Sequence, residues 1–443
     1  MKRYKILFLS FIAIFVIGSM TFIGYTTSVS NRKTDWQVNN SYKINLPSSN
    51  DYRDLNFLKK VLKGKQFVFL GESVHGVAEY SSSKVRLIKY LHENLGYDVI
   101  AFESGLGDAA VTPACMNTEG FNSTVFMKNT IYGVWTSTET RQLFDYILKT
   151  QDTNPLVFAG FDVQSLSTFG NFMTSWLKQF NPEYAALFSK LELDWRQGAF
   201  NEQKLDDKEL KRFVEGYNQA ISIVNQHSTE LQSKYSKNAQ LKQIIIQTLT
   251  ERIQFMERKN ISNTTFDDVN SLRDKMMEEN ILWLSKVVYP GEKIIFWGHN
   301  QHIRDNNTQI YYKDVGQAEF QKWTTKSMFQ DLPNEFKKKS YTIGFYMHDG
   351  KFFSPLDNMT HQVNNGKSFS KNDLEYILNN SKYDYTFINL EGHTKNNFNS
   401  WMDQPIYAHT QGLHPEKLTP SKTYDGIFFI KHVTPQDYIQ SKH

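Results

Sequence analysis

Four short polar clusters carry residue types able to move protons. They read Gly71-Glu72-Ser73-Val74-His75-Gly76, Phe102-Glu103-Ser104-Gly105, Gly160-Phe161-Asp162-Val163-Gln164 and Trp297-Gly298-His299-Asn300-Gln301-His302. An apolar run precedes each. If those runs are neighbouring parallel strands, all four loops open on one edge, where α/β proteins keep their chemistry. Glu72, His75, Glu103, Asp162, His299 and His302 then share that edge. Two chemistries follow. An imidazole held by a carboxylate takes a proton from water, with a second imidazole or a cation stabilising the oxyanion, which describes ester hydrolysis. Alternatively, His and Glu hold a divalent metal that activates water. His299-x-x-His302 chelates only if the loop turns helically. It is not the His-Glu-x-x-His of zinc proteases, since position 300 is Asn and the histidines are one residue too close.

Other motifs fail. A nucleophile elbow needs Gly-x-Ser-x-Gly, but His75 stands where the second glycine belongs, so Ser73 and Ser104 read as small packing residues. Gly105-Leu106-Gly107 follows a strand, but residue 110 is alanine and the dinucleotide fingerprint is broken. Gly71 and Gly76 permit a tight turn and close approach around the first cluster.

The elements that must position these loops alternate. Strands are predicted at Phe67–Leu70, Asp98–Glu103, Leu156–Phe161, Lys293–Trp297, Tyr341–Met347, Tyr385–Asn389 and Gly426–Ile430. Several are continuous apolar runs, as in strands covered on both faces. Val85, Ile88, Leu91 and Leu95 recur at helical spacing. The fold class expected is α/β, with a mainly parallel central sheet flanked by helices. Residues 170–290 break the alternation: Leu241, Ile245, Leu249, Ile253 and Met256 mark one helix and residues 273–288 another, which predicts a helical insertion or subdomain.

The chain has 443 residues, 40% hydrophobic and 14% aromatic, enough for a substantial core. Lys2, Arg3 and Lys5 precede an apolar stretch from Ile6 to about Tyr25, so residues 1–31 read as a signal peptide or transmembrane anchor and an N-terminal membrane-targeting helix. By the positive-inside rule the body is exported, extracellular or anchored to the outer face of the cytoplasmic membrane. Residues 32–50 read as a linker, 51–435 as the catalytic domain, and 436–443 as a tail. The net charge of +4 is small and carries no nucleic-acid footprint. The single cysteine, Cys115, excludes an intrachain disulfide framework and any multi-cysteine zinc site, and reads as a buried small hydrophobe.

Taken in order, the four clusters resemble the motifs of the erythromycin esterase family. So do Lys84 and Arg86 after the first cluster, the run Arg273-Asp274-Lys275-Met276-Met277-Glu278-Glu279-Asn280, and the ending Tyr424-Asp425-Gly426-Ile427-Phe428-Phe429-Ile430. The resemblance spans about residues 55–435. It implies a deep cleft at the strand ends and hydrolysis of an ester or macrolide lactone by activated water, without an acyl-enzyme; no cofactor and no metal ligand is assigned from the sequence. Carried over by motif, His75 is the general base, Glu72 and Glu103 position it or the water, and His299 and His302 line the pocket and polarise the carbonyl. Lys84, Arg86, Asp162, Arg273 and Asn280 are the expected substrate-binding residues, with the alternative that Arg273 and Asn280, seven apart on one helix face, are buried hydrogen-bonding residues that fix the helix. Two departures stand out. Family esterases often carry arginine where this chain has Lys84, and lysine lacks the planar fork. Export also separates this chain from esterases that act inside the cell, so the small-molecule ester need not be an antibiotic. A metal-dependent hydrolase and a non-catalytic surface-binding protein retaining the fold are the alternatives.

Overall fold

The computed structural model describes residues 41–439, except 117–118, 262–264, 314–316, 356 and 394–398. The expected targeting segment 1–31, the linker up to residue 40, the last four residues of the tail and the Cys115 side chain lie outside that description. Among the described residues no helix is long and apolar enough to cross a membrane.

Thirteen strands are present among the described residues: β1 (Ser41–Lys43), β2 (Phe67–Leu70), β3 (Val99–Gly105), β4 (Val157–Asp162), β5 (Ile294–Trp297), β6 (Tyr311–Tyr312), β7 (Gln321–Lys322), β8 (Ser340–Ser354), β9 (Met359–Gln362), β10 (Tyr385–Asn389), β11 (Ile406–Thr410), β12 (His414–Leu418) and β13 (Gly426–Val433). Nine form the main sheet, ordered β1-β10-β13-β8-β2-β5-β3-β4 with β9 on β8. The sheet is mixed. Its six strands from β13 to β4 run parallel, while β1, β10 and β9 pair antiparallel. A second small sheet runs β11-β12-β6-β7.

The continuous apolar runs follow from burial on both faces. In β2, Phe67 and Phe69 enter one hydrophobic cluster and Val68 and Leu70 the other. In β5, Ile294 and Phe296 part from Ile295 and Trp297 in the same way. A half-exposed strand shows period-two polarity; these show none because neither face meets water. Each such fully buried side chain contributes roughly 1.5–3 kcal/mol.

Helix α1 (Ala78–Leu95) buries Val85, Leu87, Ile88 and Leu91 in the second cluster. The other face carries the expected helical region, whose main helices are α2 (Thr168–Leu177), α3 (Pro182–Gly198), α4 (Asp207–Gln226), α5 (Leu241–Ile261) and α6 (Phe266–Trp283). Two boundaries differ from expectation. Ser41–Lys43, within the predicted linker, pairs with β10. The start of the predicted tail is bound as well: Gln436 donates its amide to Gly76 O at 3.1 Å and Ile439 to Thr136 O at 3.1 Å.

Candidate active site

Register brings the four clusters together. Leu70 pairs with Trp297, Trp297 with Phe102, and Phe102 with Gly160, one row across β2, β5, β3 and β4. Glu72, His299 and Asp162 lie two residues past that row and Glu103 one past it. The chain runs from β2 outward to β3 and β4, then returns to insert β5 between β2 and β3, so the histidines of the β5 loop sit between the carboxylates of their neighbours. A short helix, α7 (Asn300–Ile303), follows β5 with His299 as its N-cap.

Two glycines make the first turn possible. Gly76 has φ +81°, and a Cβ there would lie 1.7 Å from Phe353 O. A Cβ on Gly71 would lie 2.0 Å from Asn300 Oδ1, which must approach because Asn300 ties the β5 loop to Phe345 O and to Glu72 O.

Glu72 is almost wholly buried and receives three donors. Its Oε1 accepts His75 Nδ1–H at 2.6 Å and Trp135 Nε1–H at 2.6 Å, and its Oε2 accepts Lys84 Nζ at 2.5 Å. Burial pushes the carboxyl up, but Lys84 and His75 outweigh it and bring it down to about 2. An ionised Glu72 fixes the tautomer of His75: the proton sits on Nδ1 and Nε2 keeps its lone pair. The His75 side chain keeps 20% exposure, so the ring reaches solvent.

His299 and His302 are three residues apart and electrostatically opposite. His299 Nδ1 accepts the Gln301 amide at 3.2 Å, which leaves the proton on Nε2. Burial and the neighbouring His75 push this imidazole down to about 3, so it is neutral. Its Nε2 is buried, with no hydrogen-bond partner among the described residues, and its ring centre lies 5.2 Å from that of His75. His302 instead faces two carboxylates. Its Nδ1 bonds Asp274 and its Nε2 lies 3.2 Å from Glu103 Oε1. Burial pulls its pKa down, but Asp274 and Glu103 win and raise it to about 10.

Arg273 closes the group from α6. It makes a fork to Asp162 at 2.5–3.1 Å and reaches Glu103 Oε1 at 2.9 Å. Glu103 Oε2 accepts the His299 backbone N–H at 2.8 Å. Burial opposes ionisation of Glu103, yet His302 and Arg273 hold it well below the usual carboxylate range.

Glu72, His75, Glu103, His299, His302, Asp162, Arg273 and Lys84 therefore form one connected group. Within it Lys84 and Asp162 are fully buried, each held by a partner, so they act on other side chains and have no face toward a substrate. Asn280 is buried deeper, donating to Phe161 O and Glu251. Arg86 lies elsewhere: it turns from the cluster to bind Asp54, Ser49 O and Asp51 O, fastening the N-terminal segment. Ser73 is buried and bonded to Tyr80 Oη at 2.8 Å. Two members of the group are not among the residues expected from sequence. Asp274 adjoins Arg273 in the 273–280 motif, which is its signal; Trp135 sits between helices in a stretch without any such signal. A cavity of about 850 Å³ lies apart from the cluster, at the start of β4, lined by Pro155, Val157, Phe158 and Tyr235.

Among the described residues no group of three or more His, Cys, Asp or Glu side chains is arranged to hold a metal ion. His302 commits both nitrogens to carboxylates and His299 commits Nδ1 to a backbone amide, so neither offers a ready ligand set. What the arrangement offers is a lone pair on His75, a neutral N–H donor on His299 and fixed cations at His302 and Arg273.

A sequence model described as erythromycin esterase matches residues 92–433. The chain is 35% identical over 407 residues, 88% of each chain, to "Putative hydrolase YbfO" of Bacillus subtilis (strain 168). It is 21% identical over 300 residues to erythromycin esterase type II of Escherichia coli, covering 61% of this chain and 68% of that one. Among solved structures, a succinoglycan biosynthesis protein superposes with a TM-score of 0.70 at 17% identity, covering 93% of this chain and 99% of that one. A mutant of the erythromycin esterase EreC in its open conformation gives 0.58 at 16%, covering 89% and 97%. These two likenesses concern the fold.

Proposed function

The chain belongs to the erythromycin esterase family, and from that premise we propose that it hydrolyses a carboxylic ester or macrolide lactone with water activated by His75. The observation that carries this reading is the Glu72–His75 pair, with Nδ1–H fixed on the carboxylate at 2.6 Å and Nε2 free to take a proton.

The steps follow from the protonation states. Water gives its proton to His75 Nε2 as its oxygen attacks the ester carbonyl carbon. The imidazolium formed is held by ionised Glu72. The carbonyl oxygen becomes an oxyanion and accepts the Nε2–H of neutral His299, the buried donor that has no partner among the described residues. His302 and Arg273 supply positive charge beside it. When the tetrahedral centre collapses, the C–O bond to the alkoxide breaks and His75 Nε2–H returns its proton to the leaving oxygen. No serine takes part. The basic and then apolar segment 1–31 supports an exported protein that meets its ester outside the cytoplasm.

The test is incubation of the protein with macrolides and a panel of esters in ¹⁸O-labelled water, read by mass spectrometry. The expected product carries one labelled water, and His75→Ala lowers the rate at least about 10³-fold while keeping the fold. Undiminished turnover in that variant refutes the mechanism. Activity that is lost on chelation and restored by a divalent metal refutes it in favour of the metal-dependent reading.

A further inference from the structure

Trp135 belongs to no motif, yet it touches both members of the Glu72–His75 pair. Its Nε1–H donates to the same Glu72 Oε1 that receives His75 Nδ1–H, both at 2.6 Å. Its ring stands edge-on to His75, centroids 5.1 Å apart and planes at 88°. One indole thus competes with His75 for one carboxylate oxygen and walls one side of the imidazole. Lys84 holds the other oxygen, so Glu72 cannot rotate without losing a buried donor.

The turn carrying Trp135 is itself fastened. It is a 3₁₀ turn, Gly133–Trp135. Tyr438 Oη donates to Val134 O at 3.0 Å, Ile439 N to Thr136 O at 3.1 Å, and Thr138 N to Asp437 O at 2.8 Å. The same C-terminal segment reaches the His75 turn, where Gln436 N donates to Gly76 O at 3.1 Å and Pro435 bridges to Val77. Residues 434–439 therefore join the turn of the base to the turn of the indole.

We propose that Trp135 is a positioning residue that tunes the Glu72–His75 pair through Glu72 Oε1, and that residues 434–439 keep it in register. This rests on the hydrolytic reading above only for its kinetic consequence. With the indole N–H removed, Oε1 accepts from His75 alone and stabilises the imidazolium more strongly. The other ionisable groups facing the pair stay in place: Lys84 and Tyr80 from α1, His299 from the β5 loop, Glu103 from β3, and Tyr438 from the C-terminal segment.

The experiment is Trp135→Phe in the full chain, which keeps an aromatic ring and deletes the donor. Two readouts are taken: the pH profile of kcat/KM on an ester that is turned over, and the ¹⁵N NMR titration of the His75 ring, assigned by its loss in His75→Gln. The acid limb and the imidazole midpoint are both expected to rise by about half to one pH unit. kcat is expected to fall about tenfold with KM unchanged. Tyr438→Phe, which loosens the turn but keeps the N–H, is expected to lower kcat and leave the midpoint where it was. A midpoint unmoved in Trp135→Phe overturns the proposal. If that variant does not fold, the unsubstituted protein serves: the Trp135 indole ¹H–¹⁵N resonance must titrate with the His75 midpoint, and independence of the two overturns the proposal equally. A shifted midpoint in a protein that turns over none of the esters upholds the positioning role and refutes only the hydrolytic reading.

Discussion

Lys84→Met is the most discriminating substitution. Lys84 is fully buried, its Nζ 2.5 Å from Glu72 Oε2 and 4.4 Å from the centre of the Trp297 ring. Methionine keeps most of the stem and removes the charge. The carboxylate left behind is 2% exposed and cannot recover its solvation from water. Removing one partner of such a pair costs about 3–5 kcal/mol. The pH dependence gives an independent figure. Glu72 falls from 4.5 to about 2 on folding, which corresponds to roughly 3 kcal/mol of stability. Because its folded pKa is depressed, that stability is fully present above about pH 4.5 and is lost as pH falls through about 2. Lys84→Met is therefore expected to lower the free energy of unfolding at pH 7 by about 3–5 kcal/mol and to move acid unfolding to higher pH. The assay is urea unfolding followed by tryptophan fluorescence from pH 2 to 8, on this variant and on Glu72→Gln/Lys84→Met. The double variant removes both charges and should recover part of the loss. A single variant within about 1 kcal/mol of the parent, or a double variant less stable than the single one, refutes the assignment of Lys84 as the counter-charge of a buried, ionised Glu72.

His302 gives the opposite pH signature. Its folded pKa is raised from 6.5 to about 10, so it contributes roughly 3–5 kcal/mol below its unfolded pKa, lost as pH rises through about 10. Stability should decline between about pH 6.5 and 10, and His302→Gln should remove that slope in the same unfolding assay carried on to about pH 10.5. Arg86→Met should lower stability by about 3 kcal/mol, because Asp54 loses its partner, while kcat and KM for an accepted ester stay unchanged; a raised KM returns Arg86 to the substrate site.

The sheet was readable because its strands are buried on both faces. Phe67–Leu70 and Tyr385–Asn389 coincide with β2 and β10 to the residue. The strands that escaped notice lack that signal. β9 is mostly exposed, β12 contains Pro415, and β1 is three residues inside a polar stretch. The site was readable as a set of loop ends, since parallel pairing puts strand ends on one edge. Partner choice was harder to read, though one part was available. Lys84 and Arg86 are two apart on α1, about 200° around the helix, so both cannot face Glu72. Asp162 was legible as a polar residue at a strand end and Asn280 as one on a helix face, but whether each meets substrate or another side chain depends on long-range packing. Trp135 meets Glu72 across 63 positions of sequence, and no local pattern reports such a contact.

The contrast between His299 and His302 explains why one loop carries two imidazoles. If His299 were charged, it would stand 5.2 Å from the His75 ring, and at an effective dielectric constant of about 20 the repulsion would reach roughly 3 kcal/mol. The proposed role of His75, which is to accept a proton, would be opposed by such a charge. The amide of Gln301 on Nδ1, together with burial, keeps His299 neutral while leaving Nε2–H to donate. His302 carries the positive charge instead, where Asp274 and Glu103 absorb it. The loop thus sets a neutral donor beside His75 and places the cation against carboxylates, which is what the proposed uptake of a proton by His75 requires.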